Sequence, residues 1–393
     1  MISSHRLRFA AVVAALLVTL GLLASFASAH KPAKGHLAYG HGASPAGKHH
    51  GGHHHGRPHR DLTVMTQNLY LGSSLTPALS ATDAPSFVAA VAQIYATVQY
   101  TNFPVRAEAI ADEIEAEDPD LVGLQEVTKW TTGGLNPPPG YDFLAILQSD
   151  LAARGLDYSV AAVSNNANIG PAPLALGSCF TPPSTITCTV QLQDRDVILV
   201  NDDTHGLSWS NPESGRYGTQ EVINSPVGQL SFDRGWASID ARLKHQPFRF
   251  VNTHLETEDF PAVQEAQAAE FLAGPGKGGT IIATGDFNSA SDGSTTNSYA
   301  QLTAPGKFRD AWDEDELGPG SSCCQESNTP PLAPGALNNP VSTLRTRIDL
   351  ILSRGAARSD GDEADLIGDT PFEVVPPFWP SDHAGVVSVL HLP

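Results

Sequence analysis

The stretch Ile281-Ile282-Ala283-Thr284-Gly285-Asp286-Phe287-Asn288 is an apolar, β-branched run that ends in a glycine, a carboxylate and an amide. A short run of that kind predicts a buried strand. In extended backbone residues i and i+2 face the same way, so Asp286 and Asn288 leave the strand end aimed at one side. Such groups belong at the rim of a sheet. Working outward, the same construction recurs: Leu62-Thr63-Val64-Met65-Thr66-Gln67 ends at Asn68, Leu121-Val122-Gly123-Leu124-Gln125 at Glu126, and Phe250-Val251-Asn252-Thr253 at His254. Arg347–Leu352 sets Asp349 on the face opposite three aliphatics, and Ser381-Asp382-His383 opens the last apolar run. Each feature alone is an ordinary turn or a structural histidine. Recurrence at six strand ends is the informative signal.

Strands are expected at Leu62–Gln67, Leu121–Gln125, Tyr158–Val163, Val197–Val200, Ala237–Leu243, Phe248–Thr253, Thr280–Thr284, Arg347–Leu352 and Gly385–His391. Apolar residues at three- and four-residue spacing predict helices over Ser86–Tyr100, Val105–Glu117, Phe143–Arg154 and Ala262–Leu272. This mixture predicts an α/β fold of two packed sheets with helices outside them, in one domain, Asp61–Pro393. Ser164–Thr189, Asn201–Ser231, Ala290–Thr296 and Gly318–Ser342 are rich in Gly, Pro, Ser and Asn and read as long loops that carry recognition.

The 393 residues are 41% hydrophobic and 17% charged, which describes a globular chain and excludes collagen, coiled coil and a polytopic membrane protein. The net charge of −19 is unevenly spread: residues 1–60 contain no Asp or Glu and seven of the 23 Lys and Arg. The other 16 basic residues therefore face all 42 acids, and the body stands at −26. A surface that acidic does not hold a polyanion by charge alone. Arg6 and Arg8, the apolar run Phe9–Leu23 and the small-x-small Ala27-Ser28-Ala29 read as a secretory signal, residues 1–29, cleaved on export. The run is shorter than the ~20 residues a membrane span needs. Residues 30–60 hold nine of the 15 His and read as a disordered, His/Gly-rich tether. Export favours oxidised cysteines, with Cys179–Cys188 the simplest pairing and the adjacent Cys323 and Cys324 bridged to each other or elsewhere.

The rim set comprises Glu126, Asp286, Asp349 and Asp382, with Asn68, Asn288, His254 and His383. Four converging carboxylates repel unless a cation sits among them, and oxygen ligands suit Mg²⁺, Ca²⁺ or Mn²⁺ better than Zn²⁺. A hard cation beside two imidazoles is equipment for hydrolysing a phosphate ester.

Gln67-Asn68, Gln125-Glu126-Val127, Asn252-Thr253-His254-Leu255, Gly285-Asp286-Phe287-Asn288, Arg347-Ile348-Asp349 and Ser381-Asp382-His383 together resemble the ordered motif set of the endonuclease/exonuclease/phosphatase superfamily, which includes deoxyribonuclease I and secreted sphingomyelinases. The resemblance implies a four-layer α/β sandwich and a metal-dependent phosphoric ester hydrolase. It implies Glu126, Asn68 and Asp382 at the metal. Asp286 would orient or deprotonate water, and Asn288 would hold the phosphate and the nucleophile. His254 would assist the leaving group, and His383, fixed by Asp349, would contact the phosphoryl oxygen. The Asn-Thr-His-Leu form resembles the nuclease, sphingomyelinase and inositol phosphatase branches more than the abasic-site repair branch.

Weaker candidates are Arg195 or Asp196 at the rim, against a structural ion pair. Gln267 is expected to pack its helix, and Tyr70, Trp209 and Trp236 line a cleft or fill the core. For Arg345 and Arg347 the choice is a phosphate or a local acid. The expected partners are a divalent cation and a phosphodiester, either nucleic acid or a phospholipid head group. The nuclease leads, although no basic groove is evident. Phe372, Pro376, Pro377, Phe378 and Trp379 are a candidate lipid-inserting segment, with packing under the last strand as the alternative. A noncatalytic secreted metal-binding or adhesion protein is the rival of another class. A secreted monomer is expected.

Overall fold

The computed structural model describes residues 60–181, 185–312, 317–327, 332–355 and 358–392. The expected signal and all but the last residue of the tether lie outside the described residues.

Alternating burial builds two sheets. In the first, the order is Arg358–Ile367, Gly385–Leu392, Arg60–Asn68, Leu121–Gln125 and Cys188–Asn201. The last of these also pairs with Tyr158–Leu174 and with Lys129–Gly134, which carries Tyr141–Asp142 at the edge. In the second, the order is Arg309–Asp310, Asp349–Arg354, Ile281–Asp286, Gln246–His254, Gly235–Leu243 and Leu207–Arg216. Successive side chains point to opposite faces. Val64, Leu121, Ile198, Ile239, Phe250, Ile282 and Ile351 therefore meet between the sheets. Their neighbours face outward: Met65, Val122 and Leu199 pack against Ala84–Tyr100, Phe103–Glu117 and Phe143–Arg154, while Val251, Ile281 and Leu350 meet Phe271 of Pro261–Ala273. The fold is a four-layer α/β sandwich, as the motifs implied. Each fully buried aliphatic or phenyl side chain contributes roughly 1.5–3 kcal/mol.

A polar belt crosses the interface just beneath the rim. Gln125 Nε2 donates to Asn252 Oδ1 at 2.6 Å, and Asn252 Nδ2 donates to the carbonyls of Leu124 and Val197 at 2.8 and 3.1 Å. The sheets approach closely there because residue 123 is glycine; a Cβ on Gly123 would lie 2.6 Å from Asn252 Oδ1 and closer still to Thr284 Oγ1.

Two expected loops are strands instead. Ser164–Thr189 contains the second half of Tyr158–Leu174, which pairs along Cys188–Asn201 as far as Leu174↔Cys188. Asn201–Ser231 contains Leu207–Arg216 and the hairpin Glu221–Ser225 with Gly228–Phe232. The edge strand is largely exposed and the hairpin only half-buried, so no sustained apolar face marks them in the sequence. Ala290–Thr296 and the described parts of Gly318–Ser342 are irregular, as expected. Disulfides join Cys179 to Cys188 and Cys323 to Cys324. Among the described residues no helix is long and apolar enough to cross a membrane.

Candidate active site

Register, more than proximity in sequence, assembles the rim. Gln246–His254 and Ile281–Asp286 run parallel with His254 opposite Asp286, and Ile281–Asp286 and Asp349–Arg354 run antiparallel with Asp286 opposite Asp349. Cross-strand partners present their side chains on one face. Three of the named residues thus stand in a row. The first sheet contributes Asn68, opposite Gln125 in a parallel pair, with Glu126 one residue beyond. Ser381 Oγ donates to the Asn68 carbonyl, and Gln67 Nε2 donates to that of His383. These bonds bring Asp382 and His383 to the same edge.

Asp286 is the centre of the arrangement. Its Oδ2 lies 3.3 Å from His254 Nε2 and 3.9 Å from His383 Nε2, and accepts from Asn68 Nδ2 at 3.1 Å. Its Oδ1 accepts from the Asn288 amide N–H at 2.9 Å. Burial pushes its carboxyl up to about 7, opposed by the His383 charge and reinforced by Asp349. Asn288 also places Nδ2 3.0 Å from His254 Nε2 and donates to the Leu255 carbonyl at 3.0 Å.

The two imidazoles differ in charge. His383 Nδ1 is 2.8 Å from Asp349 Oδ2. Burial works against its protonation, but Asp349, Asp382 and Asp286 outweigh it and hold the ring well above the ordinary range, as imidazolium. Burial, Arg234 and His383 hold His254 well below that range, as the neutral ring. Arg234 Nη1 lies 3.1 Å from both nitrogens of His254, and Nη2 lies 3.4 Å from Glu256 Oε1.

The carboxylate set fits a hard cation. Burial, then Asp382 and Asp194, push Glu126 up to about 8, the response of acids crowded without a counter-charge. Asp349 Oδ1, Asp382 Oδ1 and Asp194 Oδ1 are buried without hydrogen-bond partners. Asn68 Oδ1 accepts the Tyr70 N–H at 2.8 Å and retains a second lone pair. Glu126 and Asn288 occupy left-handed backbone at φ 52 and 50°. That conformation is unusual for a glutamate and is offset here by the 2.7 Å bond from the Leu71 N–H to Glu126 Oε2. Donor atoms of Asp286, Asp349 and His383 lie within 4.8 Å of one another, as do those of Asp194, Asp196 and His254.

The weaker candidates resolve by contact. Asp196 joins the His254 group, whereas Arg195 bonds Asp142 and the Val127 carbonyl in a structural ion pair. Gln267 fastens its helix to the Glu256 amide and the Thr219 carbonyl. Arg347 pairs with Asp310 and Arg345 with Glu326. Trp209 and Trp236 pack against the cores, while Tyr70 lines the cleft. Trp379 is buried with Tyr70 and Leu337, its indole N–H donates to the Asn339 carbonyl, and Pro377 is buried too, so this end of the Pro-rich segment is packed into the fold. Pro371 and the run Glu373–Pro376 ahead of it are exposed. Sequence reading missed the partly buried Arg234 and the fully buried Arg106, because nothing in the sequence separates a buried arginine from a surface one.

A cavity of about 800 Å³ opens onto Glu126, Asp194, Arg234 and Asp382. Eight carboxylate residues line it against two guanidinium groups, those of Arg234 and Arg345.

A sandwich with carboxylates, amides and two imidazoles at the rim of its paired sheets defines a class of phosphoesterase-like α/β proteins. Residues 65–383 match the Endonuclease/Exonuclease/phosphatase family, and the chain belongs to it. Among solved structures, a family member from Beutenbergia cavernae is 20% identical, covering 85% of this chain and 72% of that one with a TM-score of 0.49. The mannosyl-6-phosphatase of Bacteroides thetaiotaomicron is 18% identical, covering 84% of this chain and 99% of that one at 0.48. TDP2 of Caenorhabditis elegans is 15% identical, covering 85% and 98% at 0.45. No curated protein matches the chain at a significant level.

Proposed function

We propose that the protein is a divalent-cation-dependent phosphodiesterase in which Asp286, His254 and His383 carry the hydrolysis. The observation that supports this most is the placement of one carboxylate, Asp286, between a neutral and a cationic imidazole at the rim. In this reading Glu126, Asp382 and Asn68 hold the cation, which supplies charge neutralisation at the phosphoryl oxygens. Asp286 accepts the proton of the attacking water and Asn288 orients that water. His383, kept charged and oriented by Asp349, donates to a phosphoryl oxygen, and Asp349 stays ionised throughout. His254, held by Arg234 and Asn288, delivers a hydrogen bond to the leaving oxygen.

Eight carboxylates against two guanidinium groups weigh against a polynucleotide lying along the cavity. A compact phosphodiester, such as a phospholipid head group, fits that balance better than the long nucleic acid that the motifs alone would favour. Export through residues 1–29 and a monomeric state belong to the same proposal. N-terminal sequencing of protein from the culture medium and its sedimentation mass test these two.

The deciding experiment incubates the protein with Mg²⁺, Mn²⁺ or Ca²⁺ and sphingomyelin, phosphatidylcholine, plasmid DNA, RNA and a chromogenic phosphodiester, beside His383→Ala and Asp286→Asn. Turnover of a compact diester that falls more than ~100-fold in both variants and on chelation is expected. Turnover that survives the variants or the chelator overturns the mechanism. Preferential cleavage of long DNA overturns the choice of substrate.

A further inference from the structure

The disulfide between Cys323 and Cys324 closes a ring around a single peptide bond. A disulfide stabilises mainly by shortening the loops of the unfolded chain, and a link between neighbours shortens almost none. Its position is more informative than its contribution to stability. Cys323 forms a β-bridge with His383. The flanking residues are bonded to the same segment, with Gln325 N–H donating to the Asp382 carbonyl and Ala384 N–H to the Ser322 carbonyl, both at 2.7 Å. Ser322 Oγ accepts the N–H groups of Ile348 and Asp349 at 3.2 and 3.1 Å. The cysteine pair is thus sewn to both halves of the Asp349–His383 couple. Cys324 also lines the cavity, so a reductant in solution can reach it.

Both sulfurs and a ring nitrogen of His383 lie within 4.8 Å of one another. Two thiolates on a tetrahedral ion at 2.3 Å stand ~3.8 Å apart, a separation neighbouring residues span once the bond between them is cut. His383 Nδ1 is committed to Asp349, which leaves Nε2 for a ligand. A carboxylate behind a metal-binding histidine is the usual orienting arrangement. Two sulfurs and an imidazole are soft ligands, in contrast to the oxygen set of Asn68, Glu126 and Asp382.

We propose that the reduced pair Cys323 and Cys324, with His383, forms a second metal site specific for a soft divalent cation such as Zn²⁺ or Cd²⁺, and that filling it withdraws His383 from hydrolysis. A phosphine or dithiol supplies the two electrons. With a phosphine, water adds its oxygen to phosphorus and its two hydrogens to the sulfurs, so the S–S bond breaks as phosphine oxide and two thiols form. The cation then replaces both thiol protons and any proton on His383 Nε2, and water completes the shell. The inhibition, though not the binding, rests on His383 belonging to the hydrolytic site.

The test titrates the full chain with Cd²⁺ before and after reduction by a water-soluble phosphine, following ultraviolet thiolate-to-metal absorption and bound metal per chain. Cys323→Ser/Cys324→Ser serves as the control for Cys179 and Cys188 and for every other metal-binding group. Reduced wild type is expected to take up one more Cd²⁺ than the oxidised protein or the reduced double variant. His383→Ala is expected to weaken that step by at least 10-fold. Turnover of reduced wild type should fall more than 10-fold in step with the extra ion, while the oxidised protein is spared. The oxidised protein is the same chain, so the comparison survives a double variant that fails to fold. No extra equivalent on reduction, an extra equivalent that persists in the double variant, or one that leaves turnover intact overturns the proposal. The absorption titration needs no substrate, so a wrong reading of the hydrolysis leaves the binding result decisive.

Discussion

Arg106→Met tests whether one buried guanidinium holds the two halves of the rim in register. Arg106 is fully buried in the helix Phe103–Glu117, and its donors go to main-chain carbonyls. Nε bonds Thr101 at 3.1 Å, Nη1 bonds Leu69 at 2.6 Å and Pro380 at 2.8 Å, and Nη2 bonds Tyr70 at 3.0 Å. Leu69 and Tyr70 follow Asn68 directly, and Pro380 lies two residues before Asp382. Burial lowers its pKa to about 10, with Tyr70, Asp382 and Glu126 opposing the shift, so it remains cationic at neutral pH. A bond from a charged donor is worth about 1.5–3 kcal/mol, and four would sum to more than a single truncation costs in practice. Methionine keeps an apolar stem beside the stacked rings of Phe103 and Phe143, and water can reach part of the freed carbonyl set. The expected loss is therefore about 3–5 kcal/mol, the usual cost of removing one partner from a buried charged network. With a denaturant slope of about 1–3 kcal/mol/M, the urea midpoint, read by tryptophan fluorescence, should fall by roughly 1–5 M. Turnover measured well below the midpoint should fall at least 10-fold, and Arg106→Lys should recover part of both. A midpoint within error of wild type would refute the packing argument. A lowered midpoint with unchanged turnover would refute the positioning role.

Gly123→Ala should cost about 1–3 kcal/mol in urea denaturation, because its Cβ meets Asn252 and Thr284 across the sheets; an unchanged midpoint would show that the sheets separate freely. Glu113 is half-buried with Oε2 unpartnered, and burial, then Asp112, Asp369 and Glu117, push its carboxyl from 4.5 to about 8. A raised carboxylate pKa penalises the ionised fold, so the cost is absent below about 4.5 and complete above about 8. Glu113→Gln should therefore match wild type near the lower limit and exceed it by up to ~3 kcal/mol at the upper one, and a gain independent of pH in thermal melts would contradict this. Arg234→Lys loses the fork shared by His254 and Glu256. It should lower kcat/KM by roughly 10- to 100-fold with a melting temperature near that of wild type; unaltered kinetics would remove Arg234 from the site.

The strand ends were legible in the sequence because the energetic rule behind them is local. Leu121–Gln125 and Phe143–Arg154 form over the very residues their patterns mark, since a buried strand between layers must be apolar throughout and an amphipathic helix must repeat its apolar face. The polar residue that ends each apolar run marks where the sandwich opens to solvent. Leu207–Arg216 was not legible because only Leu207 and Trp209 of this mostly exposed edge strand pack against a core, and its pairing with Gly235–Leu243 is what makes it a strand. Arg106 was illegible for the opposite reason. Its carbonyl acceptors come from Leu69, Tyr70, Thr101 and Pro380, residues that meet only once the first sheet and the helices on it are in place. The vicinal cysteines were visible as a pair, but their contact with His383 depends on a bridge between distant segments.

The charge of the body also acquires a location. An acidic surface alone would repel any phosphate, yet Glu126, Asp286 and Asp382 are all pushed above the ordinary carboxylate range chiefly by burial. Burying acids beside one another is unfavourable in the bare protein, and their attraction for a divalent cation grows with that penalty. The same crowding that disfavours a polynucleotide along the cavity thus prepares the rim for a cation, and through the cation for one phosphate. Arg234 and His383 are the protein's own cations at that point, one beside His254 and the other between Asp349 and Asp286. Neutralising Glu126 as Gln would remove the penalty and the attraction together. Glu126→Gln should therefore melt at or above the wild-type temperature without added metal while losing the stabilisation that Mg²⁺ or Mn²⁺ gives wild type. If the variant is still stabilised by metal as strongly as wild type in parallel thermal melts, Glu126 is not where the cation binds.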